Sequence, residues 1–296
     1  MDINQFLLIE ERVNILLYDK GWRYKAVMKT KNFKSVMIEV LKRIDSDLEI
    51  NAIFDMLHHY SWYDDSTDYS RLLFLAFNNI ESKLVDTSKI NRIVFTPLYE
   101  LNVGFASVKK RKAIGNFDYS EAKSGSALLY DLKANMYYFT KEFNFLKGKK
   151  YLYIDEFENY KKFQKAEGDL VICIDDFVGT GDTLLSYSKH INNIDYYVSL
   201  VCLQEGVANL NKQNITNFLF GEIQEKVENY FTDQQSKDNI RLIISNISHK
   251  LNVKKDIYGY KNCAALVSMK RTPNNTIKFF WDKIGINGST SQIFPR

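Results

Sequence analysis

The sequence predicts an α/β protein in which helices flank a parallel sheet, with a helical extension before this core and a C-terminal insertion of helices and a β-hairpin. Two observations carry this prediction. The run Leu170 to Ile174 is apolar on both faces and rich in β-branched residues, which is typical of a central parallel strand. A helical pattern begins at Thr183, so strand, loop and helix form one βα unit. With 296 residues, 45% of them hydrophobic, the chain can bury a sizeable core.

Composition sets broad limits on function. The net charge of +4 is mild, and it favours neither a nucleic-acid binder nor a membrane-surface protein, although it excludes neither. The apolar patch at residues 6–9 is cut short by the charged residues 10–12, so we predict no signal peptide or membrane span and expect a cytoplasmic protein. Each cysteine lies in an apolar run, which favours buried, reduced thiols. The cysteines are Cys173, Cys202 and Cys263.

Residues 1–88 are predicted to be the helical extension, and residues 89–296 the α/β domain. Apolar residues recur at three-and-four spacing from Phe33 to Leu48 and again from Leu72 to Leu84, which indicates two amphipathic helices. Between them, the segment from His58 to Asp68 mixes histidines with acids. Its spacing matches no metal-ligand pattern, and we predict a polar loop with a helix N-cap near Asp68.

Further strands are predicted along the α/β domain. Pro97 should end the first one or lie on a sheet edge. These strands are Ile93–Phe95, Lys150–Asp155, Tyr196–Leu203 and Gly259–Met269. We expect a loop at Glu205–Gly206 and helices over residues 207–251, including the stretch Leu219 to Tyr230. The basic run Lys109–Lys112 is interpreted as a solvated loop or, alternatively, as a phosphate or nucleic-acid contact.

The loop Gly179–Thr183 joins the central strand to its helix and should bind an anion. Free backbone N–H groups and the positive end of the helix dipole meet at this point. Gly181 lets the backbone approach the anion, and the hydroxyls of Thr180 and Thr183 add donors. The sequence therefore predicts a phosphate site here.

Two adjacent acids, Asp175 and Asp176, precede this loop at the carboxyl end of the strand. They could accept hydrogen bonds from a ribose 2′,3′-diol, directly or through Mg²⁺, while the loop holds the 5′-phosphate. The whole segment resembles the ribose-5-phosphate-binding motif of the type I phosphoribosyltransferases. The matching residues are Asp175, Asp176, Thr180, Gly181 and Thr183.

Two positions depart from that motif. Gly179 stands where Thr or Ala is common, which is a mild change. Asp182 occupies the variable position of the loop, where its charge is unfavourable to phosphate unless it points to solvent or caps the helix. The alternative interpretation is a βα turn of another doubly wound protein, with the acids as ordinary caps.

A second small-residue segment, Lys123–Ser126, opens another predicted helix. The backbone N–H groups of Ser124, Gly125 and Ser126 would form a second anion site. In content and order the segment resembles the loop that holds the pyrophosphate of phosphoribosyl pyrophosphate (PRPP) in this family. The resemblance implies that Lys123 neutralises the leaving pyrophosphate.

The C-terminal segment carries a third resemblance. Gly259-Tyr260, an apolar run, Thr272–Thr276 and Trp281 are similar to the signature of a bacterial branch of phosphoribosyltransferase-like proteins from conflict systems such as retron-type phage defence. The residues that could recognise a base or another acceptor by stacking or hydrogen bonding are Tyr260, Asn274, Asn275 and Trp281. The alternative is that they build a turn and core.

Together the resemblances imply a phosphoribosyltransferase, or a nucleotide-cleaving variant of one, that uses PRPP or a nucleotide with Mg²⁺. They imply as partners a defence-system protein or ribonucleoprotein, with a homo-oligomer also open. A second hypothesis stays open: a catalytically silent ligand sensor or scaffold within a defence or nucleic-acid complex. The two acids favour the enzyme, because a simple phosphate site gains nothing from them.

Overall fold

The computed structural model describes residues 3–25, 27–64, 66–99, 101–102, 118–119, 123–191, 193–231, 233–286 and 289–294. The basic run 109–112 lies outside these ranges. The helices are α1 Ile3–Asp19, α2 Val27–Leu41, α3 Asp47–His59, α4 Ser66–Lys83, α5 Lys123–Glu142, α6 Phe157–Lys162, α7 Asp182–His190, α8 Gln204–Lys212 and α9 Gln234–Lys250. The strands are β1 Ser61–Trp62, β2 Arg92–Pro97, β3 Leu101–Asn102, β4 Asp118–Tyr119, β5 Lys150–Tyr153, β6 Asp169–Val178, β7 Tyr196–Leu203, β8 Phe218–Gln224, β9 Val267–Ser268, β10 Ile284–Ile286 and β11 Ser289–Ser291.

The central sheet confirms the predicted α/β class. Its strand order is β5-β2-β6-β7-β8, and the pairs β5–β2, β2–β6 and β6–β7 are parallel. The apolar run of β6 is buried between β2 and β7, as its composition predicts. Pro97 is the last residue of β2, in agreement with its missing N–H.

Helices cover both faces of this sheet. On one face, Cys173 of β6 packs in a cluster with residues of α6, α7 and α8. On the other face, Phe77 of α4 contacts both Phe95 of β2 and Phe139 of α5. Since Phe95 is the register partner of Ile172, α4 and α5 cover the Ile172 side of β6. The fold is therefore doubly wound.

The chain forms two compact units, one of residues 1–65 and 224–296 and one of residues 66–223. This division differs from the boundary expected at residue 88. The reason is α4, whose buried residues Leu72 and Phe77 pack on the sheet, so this helix belongs to the sheet unit. An amphipathic pattern shows that a helix has a buried face but not which element covers it.

The other unit joins both ends of the chain around an aromatic cluster. The ring of Trp22 lies edge-on to four other rings, with centroid distances of 5.5 to 6.2 Å. These rings belong to Phe33, Tyr60, Trp62 and Phe294. Within this unit β1 pairs in parallel with β9, so the runs on either side of the Thr272–Thr276 turn do not form the expected hairpin, and β10 and β11 form a hairpin further along the chain.

Several local predictions were wrong. The stretch Leu219 to Tyr230 is not helical: it holds most of β8 and then a 3₁₀ turn, because pairing beside β7 overrides the helical spacing. Of Gly259–Met269, only Val267–Ser268 is a strand, and three non-glycine residues before it have positive φ: Lys261, Asn262 and Ala264. The expected loop at Glu205–Gly206 is the first turn of α8.

The N-terminal helices differ in their boundaries. The predicted helix Phe33–Leu48 ends at Leu41, and α3 begins after Ser46, whose side chain accepts the Glu49 N–H. The mixed segment 58–68 is the end of α3, then β1, then the start of α4. Among the described residues, no cluster of three or more His, Cys, Asp or Glu side chains could hold a metal.

The cysteine prediction is confirmed, since Cys173, Cys202 and Cys263 are free and buried. Within the described ranges, every helix is too short or too polar to cross a lipid bilayer.

An ion pair joins the first residues of β2 and β6. Arg92 donates from Nε and Nη2 to the two carboxylate oxygens of Asp169, at 2.8 and 2.6 Å, and the Asp169 side chain is buried. These hydrogen bonds, together with the Ala166 N–H, lower the pKa of Asp169 below its ordinary value.

This ion pair should make stability depend on pH. Because the pKa of Asp169 is lowered in the folded state, its contribution is complete above the pKa of an unfolded aspartate, about 3.9, and is lost as the pH falls through the lowered folded pKa. Asp169→Asn should flatten the fall in unfolding free energy across that range, measured by urea denaturation at a series of pH values. The control is Glu167→Gln, an exposed acid outside the pair. An unchanged profile in Asp169→Asn would contradict the assignment.

Candidate functional site

Asp175 and Asp176 lie on the part of β6 that pairs with β7 but no longer pairs with β2. The ladder between β2 and β6 ends at the pair Pro97 and Ile174, while the ladder with β7 continues from Asp175 to Val178. On the side that β2 leaves open, the N–H of Asp176 donates to the Asp175 carboxylate at 2.9 Å. The strand thus continues to Val178, two residues past the acids, whereas the sequence predicts the acids at its carboxyl end.

The acids lie on opposite faces of the sheet, because side chains alternate along a strand. Asp175 shares the face of Cys173, and its negative charge adds to burial in raising the pKa of that thiol. Asp176 shares the face of Ile174 and is buried, whereas Asp175 is half-buried. The structure therefore brings one carboxylate to each side of the same sheet edge.

This edge is the topological switch point of the sheet. From β2 the chain continues toward β5 on one side, and from β6 it continues through α7 to β7 on the other. In open α/β sheets, the diverging connections leave a crevice outside the carboxyl ends of two such strands, and ligands bind there. Asp175 and Asp176 stand at that crevice.

The loop after β6 has the predicted form. Gly181 has φ 83°, a left-handed conformation that suits glycine, and α7 begins at the next residue. The backbone N–H groups of the first helical turn have no acceptor within the helix and remain available to an anion. Thr183 in this turn is exposed.

Asp182 changes the chemistry of this loop. It lies in the first turn of α7, where the helix dipole favours a carboxylate, and it accepts a hydrogen bond from the buried Thr180 hydroxyl. The Thr180 hydroxyl is thus engaged by its own loop. The donors left for a ligand are the backbone N–H groups and Thr183.

Helix α8 packs against the loop that follows β6, a contact that the sequence does not predict. The amide of Asn209 donates to the Thr180 carbonyl at 3.1 Å. A Cβ on Gly206 would lie 2.3 Å from the carbonyl oxygen of Gly179, so only glycine permits this contact. Gly206, beside the end of β7, is the one signal in the sequence for this contact, although the sequence there predicts a loop.

The second predicted anion segment is brought to the same edge. Lys123–Ser126 is the first turn of α5, and the buried Gly125 packs on the ends of β2 and β6. A Cβ at this position would lie 2.7 Å from Pro97 Cβ and 3.3 Å from the Ile174 carbonyl oxygen. Only the backbone of Lys123 and Ser124 is described. A helix N-terminus therefore approaches the strand that carries the acids.

The C-terminal candidates lie in the other compact unit, and their contacts are those of a turn. The buried Asn275 amide donates to the Cys263 sulfur at 3.2 Å, and Trp281 Nε1 donates to the Thr276 carbonyl at 2.9 Å. Tyr260 donates its backbone N–H to the Asn274 carbonyl, and both side chains are exposed. These contacts account for Asn275 and Trp281 without a ligand.

Comparison with known proteins finds a family model that matches most of the chain. A family model described as PRTase-CE matches residues 45–296, a range that includes β6, its loop and the first turn of α5. No curated protein matches the chain.

The contact between α8 and the loop yields a stability prediction. Gly→Ala within a helix ordinarily stabilises by up to about 1 kcal/mol. We expect Gly206→Ala instead to destabilise by about 1–3 kcal/mol, because the added methyl meets the Gly179 carbonyl. Urea denaturation measures the change. The control for free space is Gly285→Ala in strand β10, where a Cβ meets no atom within 4 Å. Equal effects of the two substitutions would show that the contact is not tight.

Proposed function

Since the chain belongs to the PRTase-CE family, which is phosphoribosyltransferase-like, we propose that the carboxyl edge of β6 binds PRPP or a nucleotide through its ribose 5-phosphate. One observation carries this proposal: two acids, a glycine loop and a second helix N-terminus converge at the switch point of the sheet. The family membership confirms the recognition of a phosphoribosyltransferase-like protein. The role of the segment Asp175–Thr183 is part of this proposal.

The 5′-phosphate would bind at the first turn of α7, with the backbone N–H groups and Thr183 as donors. The first turn of α5, from Lys123 to Ser126, would receive the pyrophosphate of PRPP. The ribose would lie across the edge of β6, where Asp175 on one face and Asp176 on the other orient its hydroxyls.

The donor chemistry of these residues fits Mg²⁺. Carboxylate oxygens are the ligands that Mg²⁺ prefers, and it commonly takes one or two from the protein and the rest from water and substrate phosphates. Because Asp175 and Asp176 lie on opposite faces of the strand, either one, and not both together, would supply such a ligand to a single Mg²⁺, directly or through water. Bound Mg²⁺ would neutralise phosphate charge.

The proposed reaction breaks the bond between ribose C1 and its leaving oxygen, whose electron pair departs with pyrophosphate. A nitrogen of the acceptor gives its lone pair to C1 and then loses a proton. The two carboxylates would offset positive charge that develops on the sugar, and the two helix N-termini would hold the anionic ends. Release of a base from a nucleotide would use the same groups, with water as the nucleophile.

We further propose a cytoplasmic role as an effector of a bacterial anti-phage system of the retron type, acting with a defence protein or ribonucleoprotein. The support is the C-terminal signature that includes Tyr260 and Asn274, both exposed. Depletion of nucleotides by transfer or cleavage would be the effect.

The alternative is a catalytically silent ligand sensor or scaffold. One observation favours it: the Thr180 hydroxyl is engaged by Asp182, whose charge opposes phosphate at that position. A sensor would bind its ligand without turnover, so binding and catalysis must be measured separately.

The first test is calorimetric titration of PRPP with Mg²⁺, alongside a pyrophosphate-release assay with mixed nucleobases and with none. We expect Asp175→Asn and Asp176→Asn each to weaken binding at least tenfold, because each removes a charged partner of ribose or metal. The control is Glu167→Gln, an exposed acid before the opposite end of β6.

Binding without pyrophosphate or base release would favour the sensor. Absence of binding to the wild type, both to PRPP and to nucleoside monophosphates, would overturn the assignment of the site.

Removal of the Asp182 charge should strengthen ligand binding, whereas removal of the Asp175 or Asp176 charge should weaken it. Asp182→Asn should tighten the binding of ribose 5-phosphate by about threefold to tenfold, since a negative charge close to the phosphate costs about 1 kcal/mol in a solvated site. Titration at low and high salt measures the change, and the gain should shrink at high salt. Weaker binding by Asp182→Asn would show that Asp182 shapes the loop more than it repels the ligand.

A further inference from the structure

The positive charge of the chain is concentrated in residues 254–278, here called the basic segment. It contains six lysine or arginine residues and one acid, which gives a net charge of +5, whereas the whole chain carries +4. The cations are Lys254, Lys255, Lys261, Lys270, Arg271 and Lys278, and the acid is Asp256. All of these side chains except the half-buried Lys278 are exposed. A local surplus of exposed cations attracts a polyanion.

Hydrogen bonds hold the two ends of the basic segment side by side. Lys278 donates from Nζ to the carbonyl oxygens of Lys254 and Lys255, at 2.8 and 3.2 Å. The backbone N–H of Tyr260 donates to the Asn274 carbonyl at 2.7 Å. The cations of the loop after α9 and those of the turn after β9 therefore lie on neighbouring stretches of the surface.

Three of these charged residues have a backbone conformation that is unfavourable for their side chains. Lys255, Asp256 and Lys261 have φ of 59°, 48° and 51°, in the left-handed region that favours glycine and asparagine. For folding alone, glycine or asparagine would be more favourable at both lysine positions. Because strained residues cluster at functional sites, the two lysines indicate that their charge is used in binding.

An exposed aromatic ring lies among these cations. Tyr260 is 43% exposed, and the ammonium of Lys261 lies 5.7 Å from the centroid of its ring. Lysines bind the phosphates of any nucleic acid, whereas an exposed ring binds an unpaired base by stacking. In a double helix the bases stack on one another and are not available to such a ring. The combination of cations and ring therefore fits a single strand.

We propose that the basic segment binds single-stranded nucleic acid, RNA or DNA. The exposed lysines and Arg271 contact the phosphates, and a base stacks on Tyr260. This proposal does not depend on the proposed ligand site, because residues 254–278 lie in the other compact unit. It assigns a surface to the nucleic-acid component of the proposed ribonucleoprotein partner.

Fluorescence anisotropy with the full chain tests the proposal, with labelled oligouridylate and oligodeoxythymidylate of about 20 nucleotides as probes. Lys255 and Asp256 give a matched pair of variants, because asparagine suits the left-handed backbone of both. Lys255→Asn should weaken binding by about threefold or more, because it removes a phosphate contact. Asp256→Asn should strengthen binding, because it removes the one acid of the segment. Tighter binding of one probe identifies the strand as RNA or DNA, and either result supports the proposal.

The phosphate contacts and the stacked base are measured separately. The slope of log K against log salt should become less steep by about 0.7 in Lys255→Asn, the value for one phosphate contact of a single strand. Tyr260→Ala should weaken binding by about fivefold or more, whereas Tyr260→Phe keeps the ring and should bind as the wild type does. The control is Lys212→Asn, which removes an exposed lysine at the end of α8 and should leave binding unchanged.

Thermal melting of each variant separates loss of fold from loss of binding. A wild type that binds neither probe would overturn the proposal. So would a duplex bound as tightly as the single strand, or effects of the same sign in Lys255→Asn and Asp256→Asn. Titration of PRPP into Lys255→Asn should match the wild type, which keeps this result separate from the test of the proposed ligand site.

Discussion

The hydrogen-bond ladders on either side of β6 are the constraint on which the rest of the sheet unit depends. They hold the apolar part of β6 in the centre of the sheet. Two adjacent carboxylates buried there would cost free energy, so they are tolerated only where the sheet opens. Because Pro97 ends β2, one ladder stops at Ile174 and the edge opens just where the acids begin. The site therefore exists because one neighbouring strand is shorter than the other.

Two close backbone contacts complete this edge, one from each face. Gly125 lets the first turn of α5 reach the end of β6, and Gly206 lets α8 support the loop that follows it. Both contacts depend on the missing Cβ, and both bring backbone dipoles rather than side chains to this edge. Asp182 then sets the charge of the loop, which distinguishes this site from a simple phosphate cradle.

The match to the PRTase-CE family begins at residue 45 and therefore includes part of the unit that joins the two ends of the chain. Within that unit the Thr-Pro-Asn-Asn-Thr segment forms a turn, with Asn275 and Trp281 satisfied internally. Asn275 and Trp281 of this signature therefore stabilise the turn. The proposed site lies in the sheet unit, which contains the acids and both helix N-termini.

The sequence by itself determined β6, its loop, the following helix, the buried thiols and the family, because strand composition and glycine turn chemistry are local properties. It did not determine that Leu219 to Tyr230 forms a strand and a turn, that α4 joins the sheet, or that Thr180 bonds Asp182. Only the tertiary structure decided these points, since they depend on which distant elements meet. A periodic pattern specifies a face to be buried, but not its partner.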